Sequence, residues 1–420
     1  MARIRPLYTV RYDLATAGSL DAVTAPPYDV IDAPMRAELL GKSALNVVEV
    51  DLPEDSEGGD PYLHAQTTWE NWLQQGVLVR EREPAIWALT QDYRAPDGRD
   101  YTRHGFFAAV KVEDYGAGRI RPHERTHPGP KQDRLNLTRA TRANLSPIFS
   151  LFPDFGEGAW KALEPSTAEE PFGSATDADG TVNTLWRVSD PGIIEAVTST
   201  LSEAELLIAD GHHRYETARA YAEEVGGEGP HEWVLMFLCS LTDPGLTIFP
   251  THRLVSGLDQ DKREALRAAI EELFEVTDIP EEELQAAANV PGMVFGYLDA
   301  HHRKPLRLTL RDHGAVDQAL PDKPAPYRRL DTAVLETLIL KGALGMSDED
   351  IDHKHGLDYS KNTDDARAAI EDGRAEAVFF MRPIPVEDVR EVAASGESMP
   401  PKSTYFFPKI PTGLVFNPLE

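Results

Sequence analysis

The chain has 420 residues, 41% hydrophobic and 27% charged, enough for two or three domains with well-filled cores. With 70 Asp and Glu against 42 Lys and Arg, the formal charge of −28 argues against a nucleic-acid or anionic-membrane partner, though not against a small basic pocket. The lone Cys239 excludes an intrachain disulfide framework and a cysteine-built zinc site. No apolar run nears the roughly 20 residues of a membrane span and Met1–Pro6 has no apolar centre, so the expected compartment is the cytoplasm.

In chain order, Pro26-Pro27-Tyr28-Asp29-Val30-Ile31 reads as a rigid turn into a helix over Ala33–Leu40, and Asn46–Leu52 as a strand. Residues 54–60 form an acidic loop, and Tyr62–Gln75 has the spacing of an amphipathic helix carrying Trp69 and Trp72. Ala85–Tyr93 and Tyr101–Val112 flank the turn signal Pro96-Asp97-Gly98 and predict a hairpin. Trp160–Asp190 shows little pattern and is expected on the surface. Trp233–Leu241 and Leu246–Phe249 suggest a second hairpin around Asp243-Pro244-Gly245. Beyond residue 258 the texture changes. Helices are expected over Lys262–Phe274, Glu281–Ala288, Leu330–Leu344 and Val386–Ala394, and strands over Gly292–Leu298, Leu306–Leu310 and Ala375–Arg382. The fold class is α+β with mixed sheets. A first domain over residues 1–258 precedes an α+β C-terminal domain over 259–420, whose last strands are expected to pack back on the first.

The densest chemistry lies in Asp210-Gly211-His212-His213-Arg214. Glu205–Ala209 before it is an apolar run of strand length; Tyr215, Ala218 and Tyr221 after it recur at helical spacing. A strand, a glycine turn and a helix start follow. That geometry points backbone N–H groups and the positive end of the helix dipole at an anion, with Arg214 supplying a fork of donors for phosphate. Asp210 beside them is placed to hold Mg²⁺ or orient a nucleophile. The alternative is an Asp cap on a solvated basic first turn. Adjacent His212 and His213 project in different directions and make a poor pair of zinc ligands.

Arg119 to Arg134 carries seven cationic or titratable basic side chains, a local inversion of the overall charge. Pro122, Pro128 and Pro130 predict an extended, stiff loop. Glu124 at its centre suits a general base toward a hydroxyl, with Arg121, Lys131 and Arg134 to steady a phosphoryl group; a solvated loop of mutually screened charges is the competing reading. A helix is expected from Asp133 to Asn144. Lys402-Ser403-Thr404 could wrap a phosphate but lacks the glycines of a Walker loop, and an ordinary surface turn remains open. Pro250-Thr251-His252-Arg253 reads as structural hydrogen bonding. A nucleophile elbow and a GxGxxG fingerprint are absent from the sequence.

Gly211-His212-His213-Arg214-Tyr215 with Ala218 resembles the nucleotide-binding signature of the ParB/sulfiredoxin superfamily, in the Asp-Gly-His-His-Arg form of the free-serine kinases. His212 stands where sulfiredoxin carries its reactive cysteine, which rules against sulfinic-acid repair. The whole chain is also similar to the family called domain of unknown function 1015. That likeness runs from Pro26–Ile31 through Arg121-Pro122-His123-Glu124, Ala143–Phe149, Asp210–Arg214 and Pro250–Arg253 to Lys402–Lys409. The resemblance implies a ParB/sulfiredoxin-like mixed-sheet core that binds ATP or ADP with Mg²⁺ at Asp210. Glu124 then corresponds to a catalytic glutamate and Asp210 to the motif aspartate. Gly211, His212, His213 and Arg214 would contact the nucleotide, joined by Arg121, Lys131, Arg134, Lys402, Ser403 and Thr404. The expected function is a small-molecule phosphotransferase acting on a free hydroxyl such as that of serine; the alternative is a nucleotide-binding regulatory protein.

Overall fold

The structure, a computed structural model, describes residues 2–54, 59–95, 98–116, 119–124, 128–154 and 156–420, with backbone alone at 128–130. The expected Pro96-Asp97 turn, the centre of the acidic loop and residues 125–127 therefore lie outside the described residues. The chain divides into two compact units, one of Met1–Leu246 with Pro408–Glu420, the other of Thr247–Phe407. Among the described residues no helix is long and apolar enough to cross a membrane.

The first unit is built on a nine-stranded mixed sheet. Its strands are β1 (Ile4–Arg5), β2 (Ile86–Arg94), β3 (Asp100–Lys111), β4 (Ile120–Arg121), β5 (Ile148–Phe152), β6 (Gly173–Thr176), β7 (Val182–Val188), β8 (Leu206–Asp210) and β9 (Trp233–Ser240). They run in the order β4-β8-β5-β9-β3-β2-β7-β6, with β1 also on β3. The β4–β8 and β5–β9 pairs are parallel and the others antiparallel. Three helices matter for the site: α1 (Pro61–Gln74), α2 (Pro128–Thr141) and α3 (His212–Val225). Tyr215 and Ala218 seat α3 on the core of Ile86, Phe106, Ile148, Leu206, Ile208 and Met236, as their spacing predicts. The Tyr215 hydroxyl donates to Glu113 O at 2.7 Å, so the fully buried ring keeps its polar end satisfied.

Several expectations change. Val48–Asp51 is a helical turn and not a strand, because the Asn46 side-chain carbonyl accepts from Val48 N–H at 3.0 Å and starts a helix. Trp160–Asp190 supplies β6 and β7 to the sheet. The basic loop becomes helical at Pro128, ahead of the expected start at Asp133, so Lys131 sits on α2 with Arg134 and not on an extended segment; proline is tolerated in a helix's first turn. Thr247–Phe249 pairs with Tyr405–Phe407 in the second unit, so the expected hairpin with β9 does not form.

The second unit holds a six-stranded antiparallel sheet in the order Phe274–Asp278, Leu306–Leu310, Val294–Asp299, Ala377–Phe380, His252–Val255, Leu357–Ser360. The helix Gln260–Leu273 buries Leu266 and Ile270 in one core, and Ala366, Ala369 and Ile370 belong to another. Asp331–Val334 opens a helix that continues with a wider turn through Ala343. Only a single turn, Glu281–Glu283, forms where a longer helix was expected.

Candidate functional site

Pairing of β8 with β5 runs Leu207–Leu151 and Ile208–Ser150, then steps to Asp210–Phe149. Ala209 is thus an extra residue, and a bulge of this kind re-aims the side chain that follows. Gly211 comes next at φ +96°, a left-handed turn that strains any other residue, and a Cβ there would lie 3.0 Å from the Arg214 Nε. Gly211 caps α3 without a side chain, so the first N–H groups of the helix keep their donor capacity.

Asp210 lies between two cations. Its Oδ1 accepts from the Lys409 ammonium at 2.6 Å and its Oδ2 from Arg214 Nη2 at 2.8 Å. Arg214 Nη1 also donates to Pro147 O. Burial pulls the Asp210 carboxyl upward, but Lys409 and Arg214 outweigh it and hold the group below the usual carboxylate range. The three side chains sum to one positive charge beside an uncapped helix start.

Lys409 is aimed by a buried network. The guanidinium of Arg103 lies over the Phe149 ring at 4.6 Å, and its Nη2 donates to Pro408 O at 2.6 Å. Gln91 Oε1 accepts from Arg103 Nε at 3.0 Å, while Gln91 Nε2 donates to Asn183 Oδ1 at 2.7 Å and to Lys409 O at 3.2 Å. Side chains from β2, β3 and β7 therefore fix the backbone on either side of the Lys409 peptide.

Beside the triad two buried imidazoles pack edge to face, His123 and His212, with ring centres 4.7 Å apart. His212 Nε2 accepts from the His123 backbone N–H at 3.2 Å, so the neutral ring carries its proton on Nδ1. Nδ1 faces Glu124 Oε2 at 3.9 Å. Burial, reinforced by His123, pushes His212 well below the ordinary imidazole range, and burial lowers His123 too. His123 Nδ1 donates to Ile208 O at 2.6 Å. Glu124 itself is 46% exposed, a carboxylate open to solvent with a neutral imidazole N–H behind it.

With this geometry in view, comparison with known proteins shows a family match over residues 4–333. The chain belongs to the family described as protein of unknown function DUF1015. Among solved structures it is similar to a conserved hypothetical protein from Pyrococcus furiosus, at 16% identity over 73% of this chain and 95% of that one, with a TM-score of 0.35. It is also similar to a mutant free serine kinase in complex with AMP, at 14% identity over 74% and 92% of the two chains and a TM-score of 0.37. A free serine kinase in complex with AMP matches at 15% identity over 70% and 89%, with a TM-score of 0.36. No curated protein matches.

Of the other basic residues singled out in this DUF1015 chain, Arg121, Lys131 and Arg134 face acidic partners. Arg121 Nε bonds Glu205 Oε2 at 3.0 Å, and Lys131 Nζ bonds Glu216 Oε2 at 3.2 Å. Lys131 also lines an open groove of about 880 Å³ along α3, together with Arg3, Glu113, Arg119, Glu216 and Arg219. Arg134 is buried, donating to Asp51 O at 2.6 Å and Asp133 Oδ2 at 2.8 Å beneath the Tyr28 ring. Arg134 shares with Arg214, Asp51 and Ser146 a cavity of about 40 Å³, room for water and not for a nucleotide. His213 is half-buried in the first turn of α3. Lys402, Ser403 and Thr404 belong to the second unit, where the Ser403 hydroxyl donates to Pro400 O at 2.6 Å and lies 3.0 Å from Thr332 Oγ1. The structure thus joins Glu124, Asp210, Gly211, His212 and Arg214. It adds His123 and Lys409, which sequence reasoning named but gave no role.

Proposed function

We propose that this protein is a phosphotransferase that moves a phosphoryl group from ATP or ADP to the hydroxyl of a small molecule such as free serine, on a ParB/sulfiredoxin-like core. The observation that carries the reading is the uncapped start of α3, with Gly211 at φ +96° and the Lys409 and Arg214 cations converging on it. Donors and net positive charge at a helix start fit the phosphates of a nucleotide. The Asp-Gly-His-His-Arg likeness to the free-serine kinases supports the same ligand.

The residues divide the work. Lys409, Arg214 and the N–H groups from Gly211 to His213 take phosphate charge, which is most of what phosphoryl transfer asks of a protein. His212, neutral, holds its Nδ1 proton on the side of Glu124, 3.9 Å from Oε2 and outside hydrogen-bond distance. Glu124 accepts the proton of the attacking hydroxyl. Arg134 holds α2 to Asp51, whereas Arg121 and Lys131 reach substrate only by leaving Glu205 and Glu216. A divalent ion at Asp210 does not fit this arrangement, since both carboxylate oxygens already face cations. Asp210 is therefore assigned to positioning Lys409 and Arg214. That same neutralised carboxylate favours a second reading, a regulator that binds nucleotide without turnover.

A ³¹P NMR time course with Mg²⁺, ATP or ADP and a mixture of free hydroxy amino acids separates the two. A growing phosphomonoester signal, slowed on the order of 10²-fold in Glu124→Gln, is the expected result. Line broadening of the nucleotide with no new signal would make the regulator the correct reading.

A further inference from the structure

Away from Asp210, at the far end of β5, the first unit holds a solvent-open pocket of about 330 Å³, within the size range of small-ligand sites. Asp210 pairs with Phe149 near the start of β5, while Phe152 at its end lines this pocket. Its central polar group is His104. The imidazole Nδ1 donates to Asp243 Oδ2 at 3.0 Å, and Asp243 Oδ1 accepts from Gly245 N–H at 2.9 Å. In the neutral ring this leaves the lone pair on Nε2, which makes no hydrogen bond among the described residues. The His104 ring rests against Trp160 with centres 4.6 Å apart.

The pair is held rigidly. Gly245 lies so close to the backbone of Thr102 and Arg103 that no Cβ fits between them. The buried Tyr93 hydroxyl donates to Gly245 O at 2.9 Å. The turn carrying Asp243 is thereby pressed onto β3 next to His104.

Lining charge selects the ligand. The lining carries four carboxylates, Asp154, Glu157, Glu164 and Asp243, against one cation, Lys161; Asp154 already accepts from Gly158 and Ala159 N–H at 2.9 and 3.0 Å, and Lys161 is occupied by Gly156 O at 2.9 Å and Glu157 at 3.9 Å. Phe106, Phe152, Leu238 and the Trp160 indole make the walls apolar. Four carboxylates exclude phosphates and carboxylic acids, whereas an ammonium gains from them, from the indole face and from an acceptor on His104 Nε2. We infer that this pocket binds a small organic amine as its ammonium ion, the N–H donating to His104 Nε2 and the hydrocarbon lying against Trp160, Phe106 and Phe152. The site is distinct from the phosphate-binding helix start and does not depend on the function proposed for it.

The test is titration of the full chain with phenethylammonium chloride, with 3-phenylpropionate as a control of similar shape and opposite charge. The reporter is the Trp160 indole N–H signal, identified by its loss in Trp160→Phe. The ammonium should move that signal saturably below about 10 mM, the carboxylate should not, and Asp243→Asn and His104→Ala should each weaken binding about tenfold. Asp210→Asn should leave it unchanged. If either of the first two variants fails to fold, Glu164→Gln on the exposed rim serves, with a two- to threefold weakening expected from the loss of about one surface charge. No saturable shift, an equal response to the carboxylate, or indifference to the variants that fold overturns the assignment.

Discussion

An ionised carboxylate flanked by an ammonium at 2.6 Å and a guanidinium at 2.8 Å cannot be neutralised without leaving two cations uncompensated. Asp210→Asn therefore has a split consequence. The extra positive charge should hold or strengthen ADP binding, while Lys409 and Arg214, no longer aimed, should lower turnover on the order of 10²-fold. Lys409→Met acts on the other side of the pair and should weaken ADP affinity about tenfold or more and lower turnover as well. Calorimetric ADP titration beside kcat for the two variants checks this; parallel losses of affinity in both would assign Asp210 a direct role toward nucleotide. Asp210 and Arg214 were legible because they lie four residues apart in one motif. Lys409 was visible only as the last residue of a Lys- and Pro-rich run. Its partner is 199 residues away, and the Arg103–Gln91–Asn183 network that aims it comes from strands whose pairing no local pattern encodes.

At the scale of elements, the strand–glycine–helix unit from Leu206 to Val225 was readable because each part carries its own signal: an apolar run, a glycine where φ is positive, and helical spacing of Tyr215, Ala218 and Tyr221. What escaped was decided by tertiary context. β6 and β7 pair on an otherwise unremarkable stretch, and the bulge at Ala209 depends on its partner β5. The arrangement makes Gly211 sensitive. Gly211→Ala forces a Cβ into a left-handed backbone and against the Arg214 guanidinium, a cost of about 1–2 kcal/mol. A fall of several degrees in Tm is expected, with ADP affinity reduced because Arg214 must shift. An unchanged Tm and affinity would mean that the turn relaxes freely and that its glycine is incidental to the site.

Across the whole molecule, an acidic chain folds into two units with separate sheets, the first closed by residues 408–420 returning to it and so delivering Lys409. Buried imidazoles make such a fold sensitive to acid, and the clearest case is His252 in the second unit. Its Nδ1 accepts from Met381 N–H at 3.1 Å and its Nε2 then donates to Thr363 Oγ1 at 3.1 Å, so the neutral tautomer is built in. Burial, helped by Arg253, lowers it from 6.5 to about 4. Above pH 6.5 both folded and unfolded chains carry the neutral ring and nothing changes. As pH falls from 6.5 toward 4 the unfolded chain takes up a proton that the native ring refuses, and stability is lost by up to about 3 kcal/mol. Asp331 works in the opposite sense in an overlapping window. Burial, opposed by Arg382, raises it to about 6, so the native state gains stability there as pH falls. The difference between the wild type and His252→Gln, in which Asp331 and the buried His123 and His212 are common, isolates the first effect. In urea unfolding at pH 7, 5.5 and 4 the advantage of the wild type should shrink by about 3 kcal/mol from the first pH to the last. A difference that stays constant would mean that His252 is protonated in the native state and that its bonds to Met381 and Thr363 do not hold the ring neutral.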